Sequence, residues 1–359
     1  MAFFARWLIA GVDPVPPQLP RSHDLSRTGV NKTVNPPVLL VWQSEFEFYW
    51  LDKNNRNLNM TGYFPGNFLL SLSDVPNDSS INSSELPKIS IVMPSYNQAR
   101  FIERSILSVL NQGYPNLELV VIDGGSTDGT VDIIRKYNDY IDFWVSETDN
   151  GQSDALNKGF ARCTGDIYGW LNSDDLYLPR AFWHAADAFR RAPNKTIVFG
   201  DWLAIDESDN VLDLNHAFDF SLGHFKYEGF HLNAQSMFWR AQVHNEFSGF
   251  DIALYNTMDY QMIMEFGIKQ GQRSFHRIPQ VLGAFRRYEG QKTLGFNPRV
   301  TNEHKRIANR YEYNDKYGPA GKLKRFVFRF RRAWWYFKRG GFPVLRVRVE
   351  NWLFHASRT

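Results

Sequence analysis

The stretch that decides the fold is KISIVMPSYNQARFIERSILSVLNQGYPNLELVVIDGGSTDGTVDIIRK, residues 88–136. Its opening KISIVMP (88–94) alternates and is rich in β-branched residues, the pattern of a strand. Residues 101–112 place Ile102, Ile106, Val109 and Leu110 at i, i+4, i+7 and i+8, one face of a helix. LELVVID (117–123) is a second strand, and 130–137 a second helix. Farther along, 142–146 and 167–171 read as strands, with helices at 153–161 and 180–191. Strand and helix patterns alternate at crossover lengths. The expectation is an α/β fold: a doubly wound, mostly parallel sheet with helices on both faces.

Ligands of open α/β sheets bind beyond the carboxyl ends of strands. Four polar clusters fall there: Pro94-Ser95-Tyr96-Asn97, DGGSTDGT (123–130), ETDNGQSD (147–154) and Asn172-Ser173-Asp174-Asp175. Any one alone is a turn followed by a helix N-cap, which uses the same residue types. Four in succession, one with paired carboxylates at a strand end, predict a ligand site along one rim.

These residues carry a family resemblance. Residues 88–136, with DNGQSDALNKGFARCTGDIYGWLNSDDLYLP (149–179), resemble a family 2 glycosyltransferase of the GT-A (Rossmann-like) fold. The likeness extends over about residues 88–293 and implies a nucleotide-activated sugar as donor, UDP-linked, with Mn²⁺ or Mg²⁺ as cofactor. It implies transfer of the sugar with inversion. Carried over residue by residue, it places Pro94, Tyr96 and Asn97 beside the nucleoside and gives Asp123 a hydrogen bond to the base. Gly124 stands where the family often has a second acid. Asp154 and Lys158 match the block DxGxxDAxNKG, which would bring Lys158 to the diphosphate; the alternative for Lys158 is an exposed helical lysine. Asn172-Ser-Asp174-Asp175 occupies the place of the DxD motif, with Asn172 replacing the first Asp and Asp174 as the direct metal ligand. A hard divalent ion on carboxylate oxygen can bridge a diphosphate and stabilise it as leaving group.

The same resemblance extends to GFDIALYNTMDYQMIMEF (249–266), where Asp259 takes the place of the general base. An inverting displacement needs a carboxylate to accept the proton of the attacking hydroxyl. An acid at a helix start is also a dipole-favoured N-cap residue, the alternative for Asp259. Met258 stands where many relatives have Glu, and Gln235 matches a site-lining position. Tyr288 replaces a metal-proximal His, and His231 is a further candidate ligand or a structural histidine. The QxxRW string of processive members is absent, so a single sugar is transferred. Two rival readings remain: a nucleotide-sugar-binding module without turnover, and a nucleotidyltransferase, for which no Gly-rich basic triphosphate loop is visible.

Composition sets the frame. The chain has 359 residues, 43% hydrophobic and 22% charged, enough for a large core and against general disorder. One cysteine, Cys163, excludes an internal disulfide framework and fits a reducing compartment. No apolar run approaches the roughly 18 residues of a membrane span, and residues 1–12 make a poor signal peptide. A cytoplasmic location is the expectation. The organisation expected is an appendage and Ser/Asn-rich linker (1–87), a GT-A domain (88–295; nucleotide-sugar half 88–178, acceptor half 196–295) and a basic, aromatic helical region (296–359).

The net charge of +3 hides ten Lys or Arg and no acid within 322–349, which leaves the rest net acidic. At 100° per residue, Leu323, Phe326, Val327, Phe330, Trp334 and Phe337 share about one third of a helix. Such a stripe reads as a peripheral anchor to an anionic membrane; the alternative is a helix that buries the stripe against the catalytic domain. Nucleic acid ranks third among these readings. A glycan or lipid-linked acceptor completes the expected partners.

Overall fold

The computed structural model describes residues 39–43, 47–51, 57–59, 86–229, 232–293 and 297–356, with side chains described through residue 338 from Leu86 onward within those ranges. Most of the expected appendage and linker over 1–87, and His231, lie outside the described residues. Within the first region, β1 (Leu39–Gln43), β2 (Glu47–Leu51) and β3 (Asn57–Asn59) pair antiparallel in the order β1-β2-β3.

The central sheet begins with β4 (Ile89–Ser95), followed by α1 (Ile102–Leu110), β5 (Leu117–Asp123), α2 (Thr130–Lys136), β6 (Phe143–Ser146), α3 (Gln152–Phe160) and β7 (Ile167–Trp170). The neighbours β6, β5, β4 and β7 are all parallel. Alternation along the strands explains the layering. Ile89, Ile91, Met93, Leu119 and Val121 join one apolar core, with Ile102 and Ile106 of α1 and Ile134 of α2. Val92, Val120 and Ile122 join the other, with Leu156 and Phe160 of α3. A sheet buried on both faces needs apolar residues at nearly every position, which LELVVID supplies. At Gly159 a Cβ would stand 2.4 Å from Val92 Cγ1, so glycine lets α3 lie directly on β4.

The second half adds β8 (Leu176–Tyr177), α4 (Ala181–Arg191), β9 (Ile197–Ile205), β10 (Val211–Asn215), α5 (Leu222–Tyr227), β11 (Met237–Arg240), α6 (Ala241–Asn245), α7 (Met258–Lys269) and β12 (Phe275–Arg286). The sheet continues β7-β11-β9-β12-β8, with β10 on β9. β11 runs antiparallel between β7 and β9, β12 is parallel to β9, and β8 and β10 pair antiparallel. The mostly parallel nucleotide half is thus joined to a mixed half through β11. At the strand starts, away from the polar rim, Glu118 accepts hydrogen bonds from Lys88, Ser90 and Thr164. Burial opposes its charge, yet those donors hold its carboxyl at about 2.

After α8 (Pro298–Arg310), α9 (Pro319–Ala356) lies against α5 and its neighbours. Phe328 packs near Tyr227, ring centroids 6.1 Å apart, and would collide with a Cβ on Gly223. Arg325 Nε donates to the Tyr227 carbonyl at 3.1 Å, and Arg332 pairs with Glu228 at 2.5 Å. Trp335 meets Phe218 and the guanidinium of Arg277, and Tyr336 Oη donates to the His216 carbonyl at 3.2 Å. α9 thus docks through a face other than the stripe. Leu323, Phe326, Phe330 and Trp334 remain half to two-thirds exposed. Among the described residues no helix is long and apolar enough to cross a membrane.

Candidate functional site

The rim is built from loops that lock one another. Asn97 adopts φ 51°, a left-handed conformation that Asn tolerates better than most residues. Its N–H donates to Ser126 Oγ at 2.7 Å, and its side-chain oxygen accepts from Thr127 N at 2.9 Å. Tyr96 beside it is 62% exposed, an open ring at the end of β4. Asp123 is 0% exposed and accepts from the N–H groups of Gly125 and Ser126 and from the hydroxyls of Ser126 and Ser146. These hydrogen bonds hold the turn at 124–126 against the end of β5. Pro94 is likewise enclosed in β4 opposite Ile122, so it shapes the wall through its backbone. A Cβ on Gly124 would stand 2.8 Å from Asp149 Oδ2, which keeps that position small.

Asp154 and Lys158 form a separate cluster on α3. Asp154 accepts from Asn150 N at 3.0 Å, capping the helix start, and this hydrogen bond holds its carboxyl below the usual range. Lys158 pairs with Glu147 at 2.9 Å and Asp154 at 3.4 Å. Its charge is shared between these two carboxylates.

Beyond β7 the DxD-like segment is held from three directions. Asn172 Oδ1 accepts from Trp170 Nε1 and Gln152 Nε2, both at 2.8 Å, while Asn172 Nδ2 donates to Asp175 at 3.1 Å. Asp175 is buried and accepts the Arg286 N–H at 2.9 Å; burial and neighbouring Asp174 push its carboxyl well up. Arg286, also buried, donates to the Asp174 carbonyl at 2.8 Å and pairs with Asp209 at 2.5 Å. Asp175 is therefore a structural partner of β12. Asp174 receives one hydrogen bond from another side chain, the 2.9 Å donation of Tyr288 Oη. Burial raises its affinity for a proton, with Tyr288 acting the other way.

Among the described residues no three His, Cys, Asp or Glu side chains gather into a preformed cation cage. Mg²⁺ at phosphate sites instead takes one or two carboxylates and completes its shell with phosphate oxygens and water. The desolvated, lightly bonded Asp174 carboxylate fits that role.

Asp259 is the second residue of α7 and is half-buried; Tyr260 N donates to its Oδ1 at 2.7 Å. Burial raises its carboxyl to about 6. The link between Asp259 and the strand rim is Lys292, a residue the sequence reading did not single out. Lys292 Nζ donates to Gln152 Oε1 at 3.4 Å, and Gln152 in turn donates to Asn172. The charges of Lys292 and Asp259 act on one another. Lys292 is thus a residue the reading missed, and Gln152 was placed on the rim only as part of the 147–154 cluster; the 140 residues between them left no local signal for their contact. Gln235 sits in a short 3-10 turn just before β11. It lies against Gly283 of β12, where a Cβ would stand 2.5 Å from the Gln235 carbonyl oxygen. It is 1% exposed, yet both amide atoms lack a protein partner. A buried amide left unpaired points to a ligand that pairs it.

A sheet whose parallel half β6-β5-β4-β7 is joined through β11 to a mixed half, with helices on both faces, has the architecture of the GT-A glycosyltransferases. Residues 90–248 match the family model for glycosyl transferase family 2. The chain is similar to an uncharacterized glycosyltransferase of Rickettsia conorii, 36% identical over 127 residues, which is 34% of this chain and 21% of that protein. It is also similar to chondroitin synthase of Escherichia coli, 28% identical over 188 residues, covering 52% of this chain and 27% of the relative. The chain matches less than half the length of these curated relatives. Among solved structures, S. aureus TarS 1–349 in complex with UDP-GlcNAc superposes with TM-score 0.53 at 17% identity. That likeness covers 67% of this chain and 71% of TarS 1–349, and it shows a shared fold.

Proposed function

We propose that this chain is an inverting, metal-assisted glycosyltransferase that moves one sugar from a UDP-linked donor to an acceptor hydroxyl. The observation that carries the reading is the Asn172–Gln152–Lys292 chain of hydrogen bonds at the end of β7, whose ammonium interacts electrostatically with the desolvated Asp259. The TarS structures with UDP-GlcNAc and with UDP support the choice of nucleotide. In this account Tyr96 and Asn97 border the nucleoside, Asn172 and Asp174 face the diphosphate, and the Gln235 amide pairs with the sugar. Asp259 takes the hydroxyl proton while the acceptor oxygen bonds to the anomeric carbon; the bond from that carbon to the diphosphate oxygen breaks on the opposite side. A carboxyl near 6 is ionised at neutral pH and still basic enough to accept a proton. Mn²⁺ or Mg²⁺ on Asp174 would supply positive charge to the departing diphosphate.

The acceptor in this reading is a glycan or a lipid-linked sugar, reached from the cytoplasmic side of a membrane. The exposed stripe of α9, flanked by exposed Lys322, Lys324, Arg329, Arg331 and Lys338, supports peripheral attachment to anionic lipid.

The test is ligand-induced thermal stabilisation. UDP with Mn²⁺ should raise the melting temperature of the wild type by mass action. Asp174→Ala should melt normally alone and lose most of the Mn²⁺-dependent part of the rise. An unchanged Mn²⁺-dependent rise in that variant removes Asp174 from the site.

A further inference from the structure

Lys292 is a partly buried cation without an ion pair among the described residues. Among the described residues its only hydrogen bond is the 3.4 Å contact to Gln152, and its ammonium lies 4.2 Å from the Tyr255 ring centroid. The surrounding acids are engaged elsewhere. Glu303 accepts from Tyr255 N at 2.6 Å, Asn256 N at 3.0 Å and Thr257 Oγ1 at 3.0 Å. Asp149 accepts from Gly151 N at 2.8 Å, and Asp259 from Tyr260 N at 2.7 Å. A second cation, Arg299, shares the same Tyr255 ring at 4.6 Å. Burial makes the ammonium easier to deprotonate, and the more distant Glu303, Asp259 and Asp149 offset this only in part. Taking a charge out of water without a close partner is costly, so the arrangement is suited to an anion arriving with the ligand.

Position selects the anion. Gln152 touches both Lys292 and Asn172, so the ammonium is one side chain away from the strand end facing the diphosphate. We infer that Lys292 binds the β-phosphate of the nucleotide donor, holding the leaving group between the DxD-like segment and Asp259. The inference rests on the donor reading above and adds a residue to it. An ammonium there offers a point charge with rotatable donors, which follows the phosphate as the bond to the sugar breaks.

UDP and UMP share base, ribose and α-phosphate and differ by the β-phosphate, so their affinity ratio isolates the contact. Both are titrated calorimetrically with Mn²⁺ into the wild type, Lys292→Met and Lys292→Arg. The wild type should prefer UDP. Lys292→Met should cut that preference by about tenfold or more, the scale of one charge-assisted hydrogen bond, with UMP affinity nearly unchanged. Lys292→Arg should restore most of it. Equal weakening of UDP and UMP, or an unchanged ratio in Lys292→Met, overturns the assignment. Lys292→Gln, which removes the charge but keeps a polar end, replaces the Met variant if that one fails to fold. A wild type with no UDP affinity overturns the donor reading itself, an outcome distinct from a normal UDP preference that survives loss of Lys292.

Discussion

Replacing Asp259 by Asn separates catalysis from stability, because the two should move in opposite directions. The carboxyl is raised from 3.8 to about 6, chiefly by burial. The folded protein therefore holds this proton more tightly than the unfolded chain does. Stability from this group is fully present below about 3.8 and is lost as pH rises through about 6. Above that, the ionised carboxylate costs the fold up to about 3 kcal/mol, at about 1.4 kcal/mol per pKa unit. Asn removes the charge and keeps the shape. At pH 8 Asp259→Asn should melt several degrees above the wild type, at roughly 2–4 °C per kcal/mol for a large domain. Near pH 4 the two melting temperatures should converge. Transfer should fall by about 10²–10⁴-fold, the usual contribution of a positioned base. Wild-type kcat/KM should fall about tenfold per pH unit below 6, as the base is protonated. Thermal melts across pH 4–8, with initial rates on the same samples, read both. An Asn variant that is less stable at pH 8 and still active at near-normal rate would refute the reasoning.

The other expectations concern binding and attachment. Gln235→Leu removes the two unpaired amide atoms, so it should fold at least as well as the wild type and bind a UDP-sugar about tenfold less tightly, with UDP affinity little changed. Calorimetry with the two ligands checks it. Phe330→Asp with Trp334→Asp should abolish sedimentation with anionic vesicles at low salt and leave UDP binding intact, since both side chains are exposed. Phe328→Ala should instead lower the melting temperature, because that ring packs on α5.

What the sequence made legible follows from local chemistry. Residues 88–136 alternate faces along each strand and repeat at helical spacing between them, so β4, α1, β5 and α2 could be drawn from the chain alone. Asp174 and Asp259 stood out because the family resemblance places each at a motif position. The rest depends on contacts between distant segments. Lys158 has a motif position, but only the fold reveals that Glu147 lies 2.9 Å from its ammonium. Asp123 has one too, and only the fold shows the turn at 124–126 donating to its oxygens. The antiparallel insertion of β11 joins strands far apart in sequence and has no periodic signature. α9 carries two apolar faces. The exposed one is uninterrupted on a helical wheel, whereas the docked one is diluted by Arg325 and Arg332, whose charges are met by the Tyr227 carbonyl and Glu228.

The central claim is turnover at the rim of β7, and release of nucleoside diphosphate from nucleotide sugars tests it most directly. Purified full-length chain is incubated with a panel of UDP- and other nucleotide-sugars and Mn²⁺, and the free diphosphate is quantified against Asp174→Ala and Asp259→Asn. The account predicts diphosphate release from at least one donor by the wild type, even slowly to water, with both variants strongly reduced. Tight donor binding with no release above the variants' background would contradict it and mark a binding module; pyrophosphate release from a nucleoside triphosphate would contradict it in favour of nucleotidyl transfer.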